Sequence, residues 1–145
     1  MIPAENSNTI NIKTEDKIMK KVISTDKAPA AIGPYSQAIE VNGMIFTSGV
    51  IPIDPTTNTL VEGDIAVQAK QAIGNLAALL KEAGSDCDQV IKTTVFIKDM
   101  NDFGKVNEIY AEYFHGECPA RSCVEVARLP KDVLIEIEAI ALKNP

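Results

Sequence analysis

The sequence predicts a single α+β domain in which two helices pack on one face of a mixed β-sheet. The chain has 145 residues, the usual size of one domain with one core. Its content of 46% hydrophobic and 23% charged residues is typical of a globular protein. Strand-like and helix-like patterns alternate along it in the order β-β-β-α-β-α-β-β, which favours a sheet with two helical crossovers.

Residues 1–18 are expected to form a flexible N-terminal tail, because they are polar, mixed in charge and without hydrophobic periodicity. No apolar run follows a basic start, so the pattern does not predict a secretory signal. The domain itself is expected to occupy residues 19–145. Its longest purely apolar runs are a handful of residues, whereas a membrane-spanning helix needs about 20, so no membrane association is predicted.

The domain is predicted to begin with three strands. A short edge strand at residues 21–24 precedes a hairpin formed by residues 38–41 and 44–47. Asn42-Gly43 joins the two strands of the hairpin and supplies the two positive φ angles that a type I′ turn requires. Residues 54–63, which begin with Asp54-Pro55, are interpreted as a loop.

Two helices are predicted on either side of a central strand. Asp64 caps the first helix and Gly84 ends it. The β-branched run at residues 90–97 predicts the strand, and Asn101 or Asp102 opens the second helix. Apolar side chains recur at helical spacing in both helices: Ile65, Ala69, Ala72, Ile73, Leu76, Leu79 and Leu80 in the first, and Phe103, Val106, Tyr110 and Phe114 in the second.

Two strands at residues 122–127 and 133–142 close the chain, separated by a tight reversal at 129–132. Because two helices cover one face, the other face of the sheet is expected to carry two mixed rows of side chains. These rows are Arg121, Cys123 and Glu125, and Leu134, Glu136, Glu138 and Ile140. Such a face is too apolar for water and too charged for a core. We therefore expect it to meet other subunits around a closed symmetric axis, with clefts between them holding the charges.

Charge and cysteine content restrict the function classes. A net charge of -6 repels a phosphate backbone, so no nucleic-acid partner is predicted. The three cysteines form no CxxC pair, which favours a reducing, cytoplasmic setting over a disulfide framework. His115 and Cys118 stand three residues apart, but one histidine and no further cluster leave a metal coordination sphere unfilled. No metal is predicted.

Five separated segments carry a distinctive order of motifs: GPYSQ at 33–37, TSG at 47–49, KTTVFIKD at 92–99, PARSCVEVARLP at 119–130 and IEIEA at 135–139. Together they resemble the reactive-intermediate imine deaminases, the RidA family. The resemblance implies a chorismate-mutase-like fold and a homotrimer with active sites between subunits. It also implies cofactor-free hydrolysis of 2-imino acids, such as 2-iminobutanoate and 2-iminopropanoate, to 2-keto acids and ammonia.

This reaction needs a cation for the substrate carboxylate and a group that delivers water. The guanidinium of Arg121 offers a two-pronged match to a carboxylate, and the resemblance places this role on it. The alternative is a surface or subunit-bridging ion pair with Glu125 or Glu136. Glu136 is the candidate for orienting and deprotonating the water. Glu138 lies about 7 Å away on the same strand face; only the resemblance selects Glu136, and both could instead be solvated or intersubunit charges.

Five further residues are candidates for substrate binding. Tyr35 follows Gly33-Pro34 and could wall a small pocket, unless it is an ordinary surface tyrosine. Ser48 and Gly49 resemble pocket residues of the family, and Gly49 permits close backbone approach. Asn107 lies on the apolar side of the second helix, where it braces the site or is a satisfied core amide. Cys123 is assigned to the pocket wall, because a nucleophilic cysteine needs a base and His115 is the sole imidazole.

Two other functions remain open from sequence. A non-catalytic, regulatory or chaperone-like trimer would keep Arg121 for a ligand carboxylate but would have no need of Glu136. An endoribonuclease would require a basic groove with a general acid and base, which this acidic chain with one histidine does not offer. The loop before the PAR motif, residues 115–118, is short and leaves the preferred side chain of the imine open.

Overall fold

The computed structural model describes residues 19–145, so the tail predicted at 1–18 lies outside the described residues. The strands are Lys21–Ile23 (β1), Ala38–Val41 (β2), Met44–Thr47 (β3), Ile53–Asp54 (β4), Thr59–Leu60 (β5), Val90–Ile97 (β6), Ala120–Glu125 (β7) and Ile135–Leu142 (β8). The helices are Ile65–Glu82 (α1) and Phe103–Tyr113 (α2). In the described part of the chain, six strands form a mixed sheet in the order β1-β2-β3-β8-β6-β7. The predicted α+β class is confirmed.

Local sequence signals account for the ends of several elements. Asn42 and Gly43 have φ angles of 51° and 74°, as the type I′ turn between β2 and β3 requires. The Asp64 carboxylate accepts a hydrogen bond of 3.1 Å from the Val67 N–H and caps α1 as predicted. The start of α2 differs slightly, because a 3-10 turn at Met100–Asp102 precedes it and Asp102 makes no side-chain cap.

The prediction of a loop at residues 54–63 is wrong in part. Ile53–Asp54 and Thr59–Leu60 pair as a short antiparallel hairpin. The Asp54 carboxylate stabilises its turn by accepting hydrogen bonds from the N–H and hydroxyl of Thr56, at 2.9 and 2.7 Å. Strands of two residues are too short to produce a periodic pattern, and the turn residues between them dominate the sequence.

The turn predicted between the last two strands is present. Residues 129–132 do turn the chain, with Lys131 and Asp132 at φ 55°, but β7 and β8 are not neighbours. Strand β6 lies between them, parallel to β7 and antiparallel to β8. The register places Thr93 beside both Arg121 and Ala139, and Phe96 beside both Val124 and Glu136.

The two faces of the sheet differ sharply in burial. On the helix face, strand side chains join both helices in one core and are almost fully buried, including Ile45, Thr93, Val95, Ile137 and Ala141. The opposite face, here called the open face, leaves large apolar side chains 39–56% exposed: Val22, Phe46, Val124 and Leu142. Among residues 19–145, neither helix combines the length and hydrophobicity of a transmembrane span.

Candidate functional site

Gly49 and Glu136 lie in direct contact on the open face. After β3 the chain leaves the ladder and returns at Val50, whose N–H and C=O both bond to Ile137, at 2.7 and 3.0 Å. This detour brings the backbone of Gly49 beneath the Glu136 side chain. A Cβ built on Gly49 would overlap the Glu136 carboxylate and lie 2.7 Å from its Cδ. Any side chain at this position would therefore displace the Glu136 carboxylate from its observed place.

Tyr35 lines the same cleft as Glu136, on a loop that is held by hydrogen bonds of the Gln37 side chain. The buried Gln37 amide donates to the carbonyls of Thr25, Ala28 and Pro29 at 3.0, 3.3 and 2.8 Å, and accepts from the Thr25 N–H at 2.7 Å. These bonds satisfy the amide and fix residues 25–29 against β2. Tyr35 itself is 47% exposed, and its hydroxyl accepts a hydrogen bond of 3.2 Å from the Ile32 N–H.

Ser48 completes this part of the site. Its hydroxyl donates to the Ser36 carbonyl at 2.6 Å, and its N–H donates to the Gln37 carbonyl at 2.9 Å. The result is a cleft of about 540 Å³, lined by Ile32, Tyr35, Thr47, Ser48, Gly49, Ile51, Pro130, Glu136 and Glu138. We call Tyr35, Ser48, Gly49 and Glu136 the carboxylate half-site.

The two carboxylates of the cleft have different surroundings. Burial raises the pKa of Glu136, and repulsion from the Glu138 carboxylate raises it further. Glu138 also lines a second, smaller cleft with Lys92 and Thr94. The Glu136 carboxylate is therefore more basic than an ordinary glutamate, which is the property expected of a group that removes a proton from water.

Arg121 lies at a different place, on the helix face of β7. Its guanidinium carbon stands 4.7 Å from the ring centroid of Tyr110 and 5.4 Å from that of Phe103, so two aromatic rings of α2 hold it through cation–π contacts. Within residues 19–145 Arg121 forms no ion pair. The Glu125 carboxylate instead accepts a hydrogen bond of 3.0 Å from the Met100 N–H. The internal ion pair with Glu125 or Glu136 is therefore not formed within the described chain.

Cys123 and Asn107 lie on the same side of the sheet as Arg121. Cys123 is half-buried two residues along β7, and burial raises the pKa of its thiol although the Arg121 charge lowers it. The thiol therefore stays protonated near neutral pH, which fits a pocket wall better than a nucleophile. Asn107 is half-buried on α2, between Phe103 and Tyr110 on one helix face. We call Asn107, Arg121 and Cys123 the guanidinium half-site.

The structure does not bring all the predicted residues together. Residues paired across strands share a face, so Arg121 and Cys123 lie on the helix face with Thr93 and Val95, whereas Glu136 lies on the open face with Phe96. The prediction that the Arg121 row shares the open face with the Glu136 row is wrong. The side chains along β7 are mixed in polarity on both sides, so the sequence does not reveal which side faces the helices.

Local sequence patterns do not identify several residues that shape both half-sites. The sequence pattern predicts Tyr110 only as an apolar helix residue, yet its ring contacts the Arg121 guanidinium. Thr93 lies in a β-branched run that indicates only a strand, and Gln37 gave no signal beyond its motif. Each acts through a contact distant in sequence, which local patterns do not encode.

No group of three or more His, Cys, Asp or Glu side chains suited to a metal occurs within residues 19–145.

Comparisons with known proteins agree with this architecture. A family profile described as Endoribonuclease L-PSP matches residues 25–143. A RutC family protein of Pyrococcus abyssi is 60% identical over 125 residues, covering 86% of this chain and 98% of that protein. A mouse protein named 2-iminobutanoate/2-iminopropanoate deaminase is 56% identical over 128 residues, covering 88% of this chain and 95% of its own.

Solved structures are similar over the same region. A structure from Thermotoga maritima, described as a putative endoribonuclease, has a TM-score of 0.85 and 52% identity, and the match covers 88% of this chain and all of that one. The structure of E. coli TdcF with bound serine has a TM-score of 0.81 and 47% identity, covering 86% of this chain and 99% of that one. The identities and coverage confirm the resemblance read from the motifs.

Proposed function

Because the chain belongs to the RidA/RutC family, described as Endoribonuclease L-PSP, we propose that it hydrolyses 2-imino acids to 2-keto acids and ammonia. The relatives named 2-iminobutanoate/2-iminopropanoate deaminase, at 52–57% identity, support small aliphatic imino acids as substrates. The observation that carries the proposal is that the chain holds a shielded carboxylate over Gly49 and a guanidinium free of ion pairs among the described residues.

The two half-sites are complementary but do not face each other within one chain. Glu136 alone offers a base without a cation for the substrate carboxylate, and Arg121 alone offers the cation without the base. One strand, β6, lies between the strands that carry them, a distance of about 10 Å across the sheet, and their side chains leave opposite faces. We infer that the complete site forms between subunits, with the guanidinium half-site of one protomer facing the carboxylate half-site of its neighbour.

The open face supports this assembly. Val22, Phe46, Val124 and Leu142 leave apolar surface exposed across the sheet, and such a surface is typical of protein–protein contacts. When two different patches of one chain bind each other between neighbouring subunits, the assembly closes into a ring if the rotation from one subunit to the next completes a full turn. The homotrimer and the chorismate-mutase-like architecture implied by the resemblance fit that closure, and we propose both for this chain.

In the proposed reaction Arg121 holds the substrate carboxylate through two parallel N–H···O bonds, which fixes the adjacent C2 carbon. Glu136 accepts a proton from a water molecule as the oxygen adds to C2 of the protonated imine. The C2–N double bond becomes a single bond. Glu136 then returns the proton to nitrogen, ammonia leaves, and loss of the hydroxyl proton gives the 2-keto acid. Tyr35, Ser48, Asn107 and Cys123 wall the substrate, and no cofactor takes part.

The reaction is tested by ammonia release from imines that an amino-acid oxidase generates in the assay. Wild-type protein should release ammonia faster than the uncatalysed rate. Arg121→Ala should lose about ten- to a hundred-fold of kcat/KM with the carboxylate contact, and Glu136→Gln about 10²- to 10⁴-fold with the base. Arg128→Ala is the matched control, since Arg128 is exposed and pairs with Asp132 at 2.7 Å. Equal rates for wild type and Arg121→Ala would refute the proposal.

A further inference from the structure

The position of Arg121 raises the question of what holds a long, charged side chain still without an acidic partner. An ion pair would orient the guanidinium but would occupy the N–H groups that a substrate carboxylate needs. A ring against the face of the guanidinium leaves those N–H groups free at its edge. Tyr110, at 4.7 Å, is the nearer of the two rings that contact Arg121.

The Tyr110 ring is itself fixed from two sides. Its hydroxyl shares a hydrogen bond of 2.7 Å with the Thr93 hydroxyl, and Thr93 is fully buried. Its ring also packs on Phe114 with a centroid separation of 4.5 Å. Rotation of the ring would therefore break a buried hydrogen bond and an aromatic contact.

Thr93 is related both to Tyr110 and to Arg121. It is the cross-strand neighbour of Arg121 in the parallel register of β6 and β7, so both side chains leave the sheet on the helix face. Thr93 contacts Tyr110, and Tyr110 contacts Arg121. The buried Thr93 hydroxyl thus links the helix that supports the guanidinium to β6, the strand that pairs with the one carrying Arg121.

We propose that Thr93 and Tyr110 are positioning residues that orient the Arg121 guanidinium for a ligand carboxylate. The ring supports the charge while leaving its hydrogen-bond donors free, and the Thr93 hydroxyl fixes the ring. The proposal deepens the proposed function and rests on it, since it assumes that Arg121 binds a carboxylate.

The test compares substitutions at Thr93 that separate the hydroxyl from packing. Thr93→Val keeps the volume and the β-branch but removes the hydroxyl, whereas Thr93→Ser keeps the hydroxyl and removes a methyl group. We expect Thr93→Val to weaken binding of 2-oxobutanoate, the product-type probe, by about three- to ten-fold, the worth of one hydrogen bond. Thr93→Ser should bind within about two-fold of wild type although it loses buried packing.

Tyr110 and a neighbouring tyrosine provide the second comparison. Tyr110→Leu should raise the Kd for 2-oxobutanoate and the KM for the imine about three- to thirty-fold, with kcat changed less, because the cation–π contact is lost. Tyr110→Phe retains the ring but loses the hydrogen bond to Thr93, so it should weaken binding about three- to ten-fold, as Thr93→Val does, and less than Tyr110→Leu. Tyr113→Phe, on the same helix as Tyr110, removes the hydroxyl bond of 3.3 Å to the Lys70 carbonyl of α1 and should leave the Kd unchanged.

Different results would refute the positioning role and the proposed function. If wild type binds 2-oxobutanoate and hydrolyses imines while Thr93→Val and Tyr110→Leu bind as tightly as wild type, the positioning role is wrong and the proposed function stands. The role is also wrong if Thr93→Ser is impaired more than Thr93→Val, because packing would then explain the loss. If wild type neither binds the probe nor releases ammonia, the proposed function fails and the positioning role with it.

Discussion

Arg121 and Glu136 leave opposite faces of the same sheet. Thr93 pairs with Arg121 on the helix face, and Phe96 pairs with Glu136 on the open face. One chain therefore carries both chemical requirements of an imine hydrolase but holds them apart, and the consequences can be tested residue by residue.

We expect any side chain at position 49 to lower catalytic activity. Gly49→Ala places a Cβ against the Glu136 carboxylate and should lower kcat by about a hundred-fold, because displacing the base by about 1 Å misaligns the water. Steady-state ammonia release measures the change. Gly104→Ala is the matched control: its Cβ meets open space on α2, and the variant should keep wild-type activity and gain about 0.5–1 kcal/mol of stability. A fully active Gly49→Ala would contradict the proposed place of Glu136.

Glu136 should reduce the stability of the folded protein at neutral pH. Its pKa is raised above the ordinary value of 4.5 by burial and by Glu138, so the native state holds the proton more tightly than the unfolded state. The free energy of unfolding then falls as pH rises from about 4.5 through the raised pKa. Glu136→Gln should therefore be more stable than wild type near pH 7 and lose that advantage below pH 4.5. Denaturant unfolding at several pH values tests this; an advantage independent of pH would argue against the shielded carboxylate.

Glu138 should matter less for chemistry than its neighbour. Glu138→Gln removes a like charge beside Glu136 and should shift the acid limb of the kcat/KM profile toward lower pH, because the pKa of Glu136 falls. The maximum rate should remain within about ten-fold of wild type, whereas loss of the base costs about 10²- to 10⁴-fold. If Glu138→Gln is inactive and Glu136→Gln active, the roles of the two carboxylates are reversed.

Cys123 should not act as a covalent nucleophile. Burial raises the pKa of its thiol, and Cys123→Ala should keep kcat within about ten-fold of wild type, whereas removal of a true nucleophile costs on the order of 10⁶. Rates with a saturating imine source distinguish the two cases. A collapse of kcat in Cys123→Ala, with the fold intact by circular dichroism, would show covalent chemistry.

Gln37 should control the loop that carries Tyr35. Gln37→Glu replaces an amide donor with a carboxylate facing the carbonyls of Thr25, Ala28 and Pro29. The free energy of unfolding should fall by about 1–3 kcal/mol, because buried carbonyls lose their donor, and KM should rise as the loop loosens. Gln71→Glu on α1 is the control, since its amide bonds only to Asn75 among the described residues. A variant as stable as wild type would show that the loop is held by other contacts.

Local sequence patterns predicted most elements and left the arrangement of strands open. Asn42-Gly43 and Asp64 determine their own turn and cap, because these depend on neighbouring atoms. The insertion of β8 between β3 and β6 depends on pairings distant in sequence, so local patterns do not determine the order of the strands. In the site, motif resemblance selected Arg121 and Glu136 together. The period of a strand shows which residues share a side, but the helices decide which side they cover, and this separates the two half-sites.

Mixing inactive variants tests the shared site most directly. Arg121→Ala and Glu136→Gln chains, unfolded and refolded together in equal amounts, form some interfaces in which one chain supplies Arg121 and the next supplies Glu136. Random mixing in a ring predicts about a quarter of wild-type activity. Wild type refolded with the double variant provides the comparison and should also keep about a quarter if the site spans two chains, but about half if it lies within one. Restored activity in the first mixture is the result we predict; no activity there, with half in the second, would contradict a site built from two protomers.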